Sequence, residues 1–232
     1  MDARALTVTI DAQDPVRVSG FWAALLDREQ VDDADGLLLP GQDAQVALRF
    51  VAAQDVGPSR LHLHLTSSSL EDQQAVVARA QSIGGSHLDV GQLPEEGHVV
   101  LADPEGNAFC VIEPGNGFLS GCGFLAEVAC DGARQVGVFW SQVLGWPLVW
   151  DQDQETAIQS PDGGTKIGWS GTPTARTAAR SRERFEVAAA GGDLAVEVER
   201  LSALGAVCLG APAAGAVLLT DPDGNEFAVA EG

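Results

Sequence analysis

The sequence predicts an α+β protein in which one domain is written twice. Three observations predict it. Asp103, Pro104, Gly106, Asn107 and Phe109 recur as Asp221, Pro222, Gly224, Asn225 and Phe227. Phe21-Trp22 recurs as Phe139-Trp140 at the same offset, 118 residues. Within each half, a strand, a helix and short strands occur in that order twice.

The elements follow in sequence. Leu6 to Ile10 is short and rich in β-branched residues, as strands are. Asp14 caps a helix with Pro15 at its first position, and Val18, Phe21, Trp22, Leu25 and Leu26 form one apolar face. Leu37–Leu39 and Gln45–Phe50 read as strands around the turn Pro40-Gly41. Arg60 to Leu65 alternates like a half-buried strand. Ser69 and Asp72 open a helix that Gly84-Gly85 ends. His98–Ala102 and Ala108–Ile112 are strands around Asp103–Asn107, where Pro sets φ and Gly and Asn tolerate positive φ.

The second half repeats the plan. Leu125–Cys130 is a strand, Arg134–Leu144 a helix, and Pro147–Asp151 and Thr165–Trp169 short strands. Arg184–Val187 matches Arg60–Leu63, Leu194–Leu204 is a helix, and Val217–Thr220 and Phe227–Ala230 close the chain. The 232 residues divide into domains 1–117 and 122–232, with a glycine-rich linker near Pro114–Gly123.

Composition narrows the function. The net charge is −20, with the first half at 6 basic against 18 acidic residues and the second at 7 against 15. Such a surface repels phosphate backbones and anionic lipid, so nucleic-acid and membrane partners are not expected. No apolar run is long enough to span a bilayer, and MDARALTVTIDAQDP lacks the pattern of a signal peptide. The expectation is cytoplasmic. Cys110, Cys122, Cys130 and Cys208 form no C-x-x-C pair, so a structural zinc site is not expected and buried free thiols are.

A helix ending in Phe-Trp and a leucine pair, the strand R-L-H-L-H-L, a helix ending in Gly-Gly, and the closing segment DPEGNAFCV together resemble the glyoxalase/bleomycin-resistance/dioxygenase group, the vicinal oxygen chelate superfamily. The resemblance covers nearly the whole chain, twice. It implies tandem domains, each of two βαβββ units forming a half-barrel around a concave pocket. Fusion of two such domains implies a pseudo-dimer within one chain, itself a monomer or a homodimer. It further implies a small-molecule ligand. Where the family is metal-dependent, it implies a divalent ion on His or Gln, His and Glu of three strands.

Counted from the following helix, the first-strand ligand position is Thr7 in one half and Leu125 in the other. The second position is His62 and Glu186, and the third is Cys110 and Ala228. Within either half, or with units exchanged between halves, these positions do not complete the usual triad. The expectation is therefore no cofactor and no metal, with His62, Cys110 and Glu186 as weak candidate ligands.

Two residues are expected to be catalytic: His62, and Glu186 as a half-buried base, the competing readings being a structural hydrogen bond and an arginine partner. His64 shares the face of His62. With Trp169, Phe50, Cys110 and Thr7, it is expected to line the ligand pocket. The basic run Arg176, Arg180, Arg182 and Arg184 reads as a solvated loop or as an attractor for an anionic ligand. His87 and His98 read as surface or strand-end residues.

Three functions remain open. One is a metal-free protein that binds a small, flat or hydrophobic molecule, as bleomycin-resistance proteins do. Another is a lyase- or isomerase-type enzyme using His62 and Glu186, with or without an ion. The third is a tandem fold that serves interaction.

Overall fold

The computed structural model describes residues 5–93, 95–171, 181–213 and 215–231. Four βαβββ units follow one another. The first is β1 (Leu6–Ala12), α1 (Pro15–Leu26), β2 (Val31–Asp33), β3 (Gly36–Leu39) and β4 (Ala47–Ala52). The second is β5 (Leu61–Leu65), α2 (Leu70–Ser82), β6 (Ser86–His87), β7 (Val99–Ala102) and β8 (Ala108–Val111). The third is β9 (Leu125–Asp131), α3 (Arg134–Leu144), β10 (Leu148–Gln152), β11 (Glu155–Ser160) and β12 (Gly163–Ser170). The fourth is β13 (Glu183–Ala188), α4 (Leu194–Ala203), β14 (Val207–Ala213), β15 (Ala216–Thr220) and β16 (Glu226–Ala230).

Sequence signals account for the helix starts. Asp14 accepts from the Arg17 N–H, Ser69 from Asp72 and Asp193 from Val196, each satisfying a free donor of the first turn. The hairpin strand β11 was not expected. Its two-residue turn with β10 is Asp153-Gln154, with φ of 50° and 79°. Such turns are normally signalled by Asn-Gly or Asp-Gly, and here that signal is missing.

The strands form two open eight-stranded sheets. The first runs β14-β15-β16-β13-β1-β4-β3-β2, and the second β10-β11-β12-β9-β5-β8-β7-β6. Each sheet therefore takes one unit from each half of the chain. The seams are antiparallel: β1 on β13 and β5 on β9. The pseudo-dimer is built into the sheets themselves.

Residues alternate across each strand, so one face of each sheet meets helices and the other does not. Leu6, Val8 and Ile10 of β1 are buried with Phe21, Trp22 and Leu25 of α1. The two landmarks of the repeat meet in space. Trp22 stacks edge-on against Phe109 at 5.0 Å, and Trp140 against Phe227 at 5.0 Å. The Trp22 indole N–H donates to Asp103 Oδ2 at 3.1 Å, and that of Trp140 to Asp221 Oδ2 at 3.4 Å. Asp103 also accepts from the backbone N–H of Glu105 and Asn107 and from Asn107 Nδ2. The turn is thus locked to the helix of the preceding unit.

Removing Asp103 would leave a buried indole N–H and two turn amides without acceptors. Asp103→Ala is expected to lower stability by about 1–3 kcal/mol, read by urea denaturation. A change within error would show that the lock contributes nothing.

Candidate functional site

The site begins with the β5–β9 seam. His62 lies opposite Ala129, and His64 opposite Glu127. On the other side of β5, His64 pairs with Cys110 of β8. Paired residues share a face, so His62, His64, Glu127, Ala129 and Cys110 all point to the side of the second sheet without helices. His64 Nδ1 lies 2.7 Å from Glu127 Oε2. The imidazoles of His62 and His64 are 4.7 Å apart. One donor atom each from His62, His64 and Cys110 falls within 4.8 Å of the others.

Neighbours tune these groups. Burial opposes charge on His64, but hydrogen bonds to Cys110 and Glu127 outweigh it and push its pKa up to about 9. For His62, burial and then the charge of His64 act together and bring the pKa down to about 4. Two adjacent imidazoles thus hold opposite protonation states at neutral pH.

The groups open into a cavity of about 320 Å³ lined by His62, His64, Glu127, Phe118, Trp150 and Gly168, among others. Gly168 is required there. A Cβ on it would lie 2.3 Å from Glu127 Oε1, so any larger residue would displace the carboxylate. Phe118 comes from the linker between the repeats. Leu119 and Cys122 of that linker are buried against Val100, Cys110, Ile112 and Ala126. The linker therefore covers one end of the sheet's free face.

The corresponding face of the first sheet is different. Thr7 pairs with Glu186, and Glu186 with Ala228. Glu186 is bound by the Arg49 guanidinium, which also holds Asp33 at 2.8 Å, and Thr9 Oγ1 donates to it at 3.4 Å. Arg184 pairs with Asp11 at 2.6 Å. Ion pairs occupy the face where a ligand would sit.

The expected site residues therefore separate. His62, His64 and Cys110 meet. Glu186 and Thr7 lie on the other sheet, so His62 and Glu186 share no pocket, and the arginine partner of Glu186 is Arg49. Phe50 is fully buried in the core on the helix side. Trp169 is 2 % exposed and packs under α3, where a Cβ on Gly137 would lie 3.1 Å from its Cε3. Trp169 is nevertheless among the residues that line the cavity of His62 and His64. Arg182 donates to Asn107 Oδ1. Arg176 and Arg180 lie outside the described residues. His87 is exposed and His98 half-buried. Of the thiols, Cys110 and Cys122 are buried, whereas Cys208 is exposed.

Glu127 went unrecognised in the sequence. The first-strand position, counted from the helix, fell on Leu125. Thr7 faces Glu186 across one seam and Glu127 faces His64 across the other, so the span from this strand position to the Phe-Trp pair is shorter in the second half, and the position falls on Glu127. Register also corrects the second position. Leu63 pairs with Phe109 as Phe185 pairs with Phe227, so His64, not His62, is the counterpart of Glu186.

The glyoxalase-like domain model matches residues 7–112 and again 126–230. The chain belongs to the glyoxalase-like domain family, in two copies. Its fold is similar to that of glyoxalase I from Zea mays, with a TM-score of 0.68 at 15% identity, over 99% of this chain and 92% of that one. It is also similar to a candidate dioxygenase from Bacillus subtilis subsp. subtilis, with a TM-score of 0.62 at 13% identity, over 99% and 85%. No curated protein matches the sequence. Among the described residues, no helix is long and apolar enough to cross a membrane.

Glu183 is a buried carboxyl near the start of β13. It is 5 % exposed and accepts from Ser59 Oγ at 2.7 Å and from the Arg60 N–H at 3.2 Å. Burial raises its pKa from 4.5 to about 7. Between those values the folded chain keeps a proton that the unfolded chain releases, so stability falls as pH rises through the window. Above it the charged, buried carboxylate destabilises fully; below it the effect is absent. Glu183→Gln should flatten the pH dependence of Tm across that window. An unchanged slope would assign it to other groups.

Proposed function

We propose that the chain binds a small organic molecule on the free face of the second sheet and activates it there. The observation that carries this reading is the convergence of His62, His64 and Cys110, with Glu127 bonded to His64, beside a cavity that His62, His64 and Glu127 line.

The donor set fits a divalent metal. Two imidazoles and a thiolate suit zinc, a borderline-soft ion that takes nitrogen and sulfur ligands. Glu127 bonds to His64 Nδ1 and fixes the ring, as carboxylates beside metal-binding histidines do, and the second proton that His64 carries would be displaced by a bound ion. The set at Thr7, Glu186 and Ala228 does not fit, because its one carboxylate is neutralised by Arg49. A bound ion would supply Lewis acidity to a carbonyl or hydroxyl oxygen of the ligand. The protein's own groups orient that oxygen. His62, with His64 and Cys110, would hold the ion, and Trp150 and Phe118 line the cavity beside it.

This reading departs from the metal-free protein that the sequence favoured, and from pairing His62 with Glu186 in catalysis. It predicts one working site per chain. Elemental analysis of protein purified without a metal-affinity column, and after incubation with zinc, tests it. Near one equivalent per chain is expected, lost in His64→Ala and Cys110→Ser and retained in Glu186→Gln. Glu127→Gln and Gly168→Ala should weaken metal affinity about 10–100-fold by releasing His64. Absence of metal under excess zinc would contradict the reading and return the chain to metal-free binding.

A further inference from the structure

We infer that the pocket on the second sheet selects a planar ring, and that Trp150 and Phe118 are the residues that select it. The inference rests on reading that pocket as a small-molecule site.

Tryptophan is normally buried on average, and four of the five here are within 4 % of full burial. Trp150 is 38 % exposed. It stands on β10, the edge strand of the second sheet, paired with Ala157, and so on the free face. Its ring lies edge-on to Phe118, with centroids 5.8 Å apart and planes at 80°. One face of the indole is thus left to the cavity.

Phe118 is fixed although it lies in the linker. Lys166, the chain's single lysine, donates to the Phe118 carbonyl, and its ammonium sits 4.3 Å from the ring centroid. A cation over a ring face is attractive, and it holds the phenyl upright. Lys166 neighbours Glu127 across β12 and β9, so the pin that sets Phe118 also borders the polar end of the site.

The floor between these ends is flat. It is formed by Gly168, which has no side chain, and by Ala129, which has one methyl group. A flat floor with two fixed rings above one end leaves a slot, and the other end carries His62, His64 and Glu127. The ligand that fits is a planar ring bearing a hydroxyl or carbonyl oxygen: the ring covers the indole, and the oxygen meets the imidazoles. A saturated molecule of equal volume would reach the imidazoles but would lose the ring contacts.

2-Naphthol and decahydro-2-naphthol carry the same hydroxyl on a flat and a puckered frame. Their affinities, measured by calorimetry, separate ring recognition from simple burial. The intact protein should prefer 2-naphthol by at least about threefold to tenfold, the size expected of one or two ring contacts. It should also show quenching of tryptophan fluorescence on binding. Trp150→Leu and Phe118→Leu should erase the preference by weakening 2-naphthol binding more than decahydro-2-naphthol binding, with circular dichroism unchanged. Equal affinities in the intact protein, a preference that survives in Trp150→Leu, or binding of neither alcohol would overturn the inference. If metal is retained and no ring preference is seen, the inference fails while the proposed site stands. A ring preference with no metal taken up does the reverse.

Discussion

The structure depends on the antiparallel seam between β5 and β9. Neither half of the chain contains the site by itself. β5 brings His62 and His64 and, through β8, Cys110; β9 brings Glu127. Side chains alternate with period two, so a slip of one residue at this seam would turn Glu127 to the face opposite the histidines. The bulge lies just beyond the His64–Glu127 pair, where Leu65 meets Leu125.

The two sheets share one plan and diverge in what fills their free faces. In the second, the linker covers one end and leaves an open cavity beside the imidazoles. In the first, Asp33, Arg49, Glu186, Arg184 and Asp11 satisfy one another. Charges paired in this way are costly to break, since removing one partner strands the other. The duplicated fold thus separates an open, histidine-lined face from one closed by ion pairs, and the second half contributes to the open face mainly through Glu127, Gly168 and Trp150.

Much of the fold was legible because its signals are local. The Phe-Trp pair and the Asp-Pro-x-Gly-Asn turn fixed the repeat, and they proved to be in contact through Trp22 and Asp103. The helix caps and the β5 alternation were equally plain. The site was legible only in part. His62, His64 and Cys110 could be named because their residue types are distinctive. Glu127 could not, because the span between this strand position and the Phe-Trp pair is shorter in the second half, and that change leaves no mark in composition. Phe50 was misplaced for a related reason: which face of a strand is free depends on register across the seam. Trp150 was passed over although its strand was expected over Pro147–Asp151, because the face it presents is set by pairing with β11, which was not expected.

X-ray absorption at the zinc edge of zinc-loaded protein tests the central claim most directly. The account predicts a sulfur neighbour at about 2.3 Å and imidazole nitrogens at about 2.0–2.1 Å, the distances of thiolate and histidine ligation. The sulfur shell should vanish in Cys110→Ser. A shell of oxygen neighbours without sulfur, or one unchanged in Cys110→Ser, would place the metal elsewhere and contradict the site assigned to the second sheet.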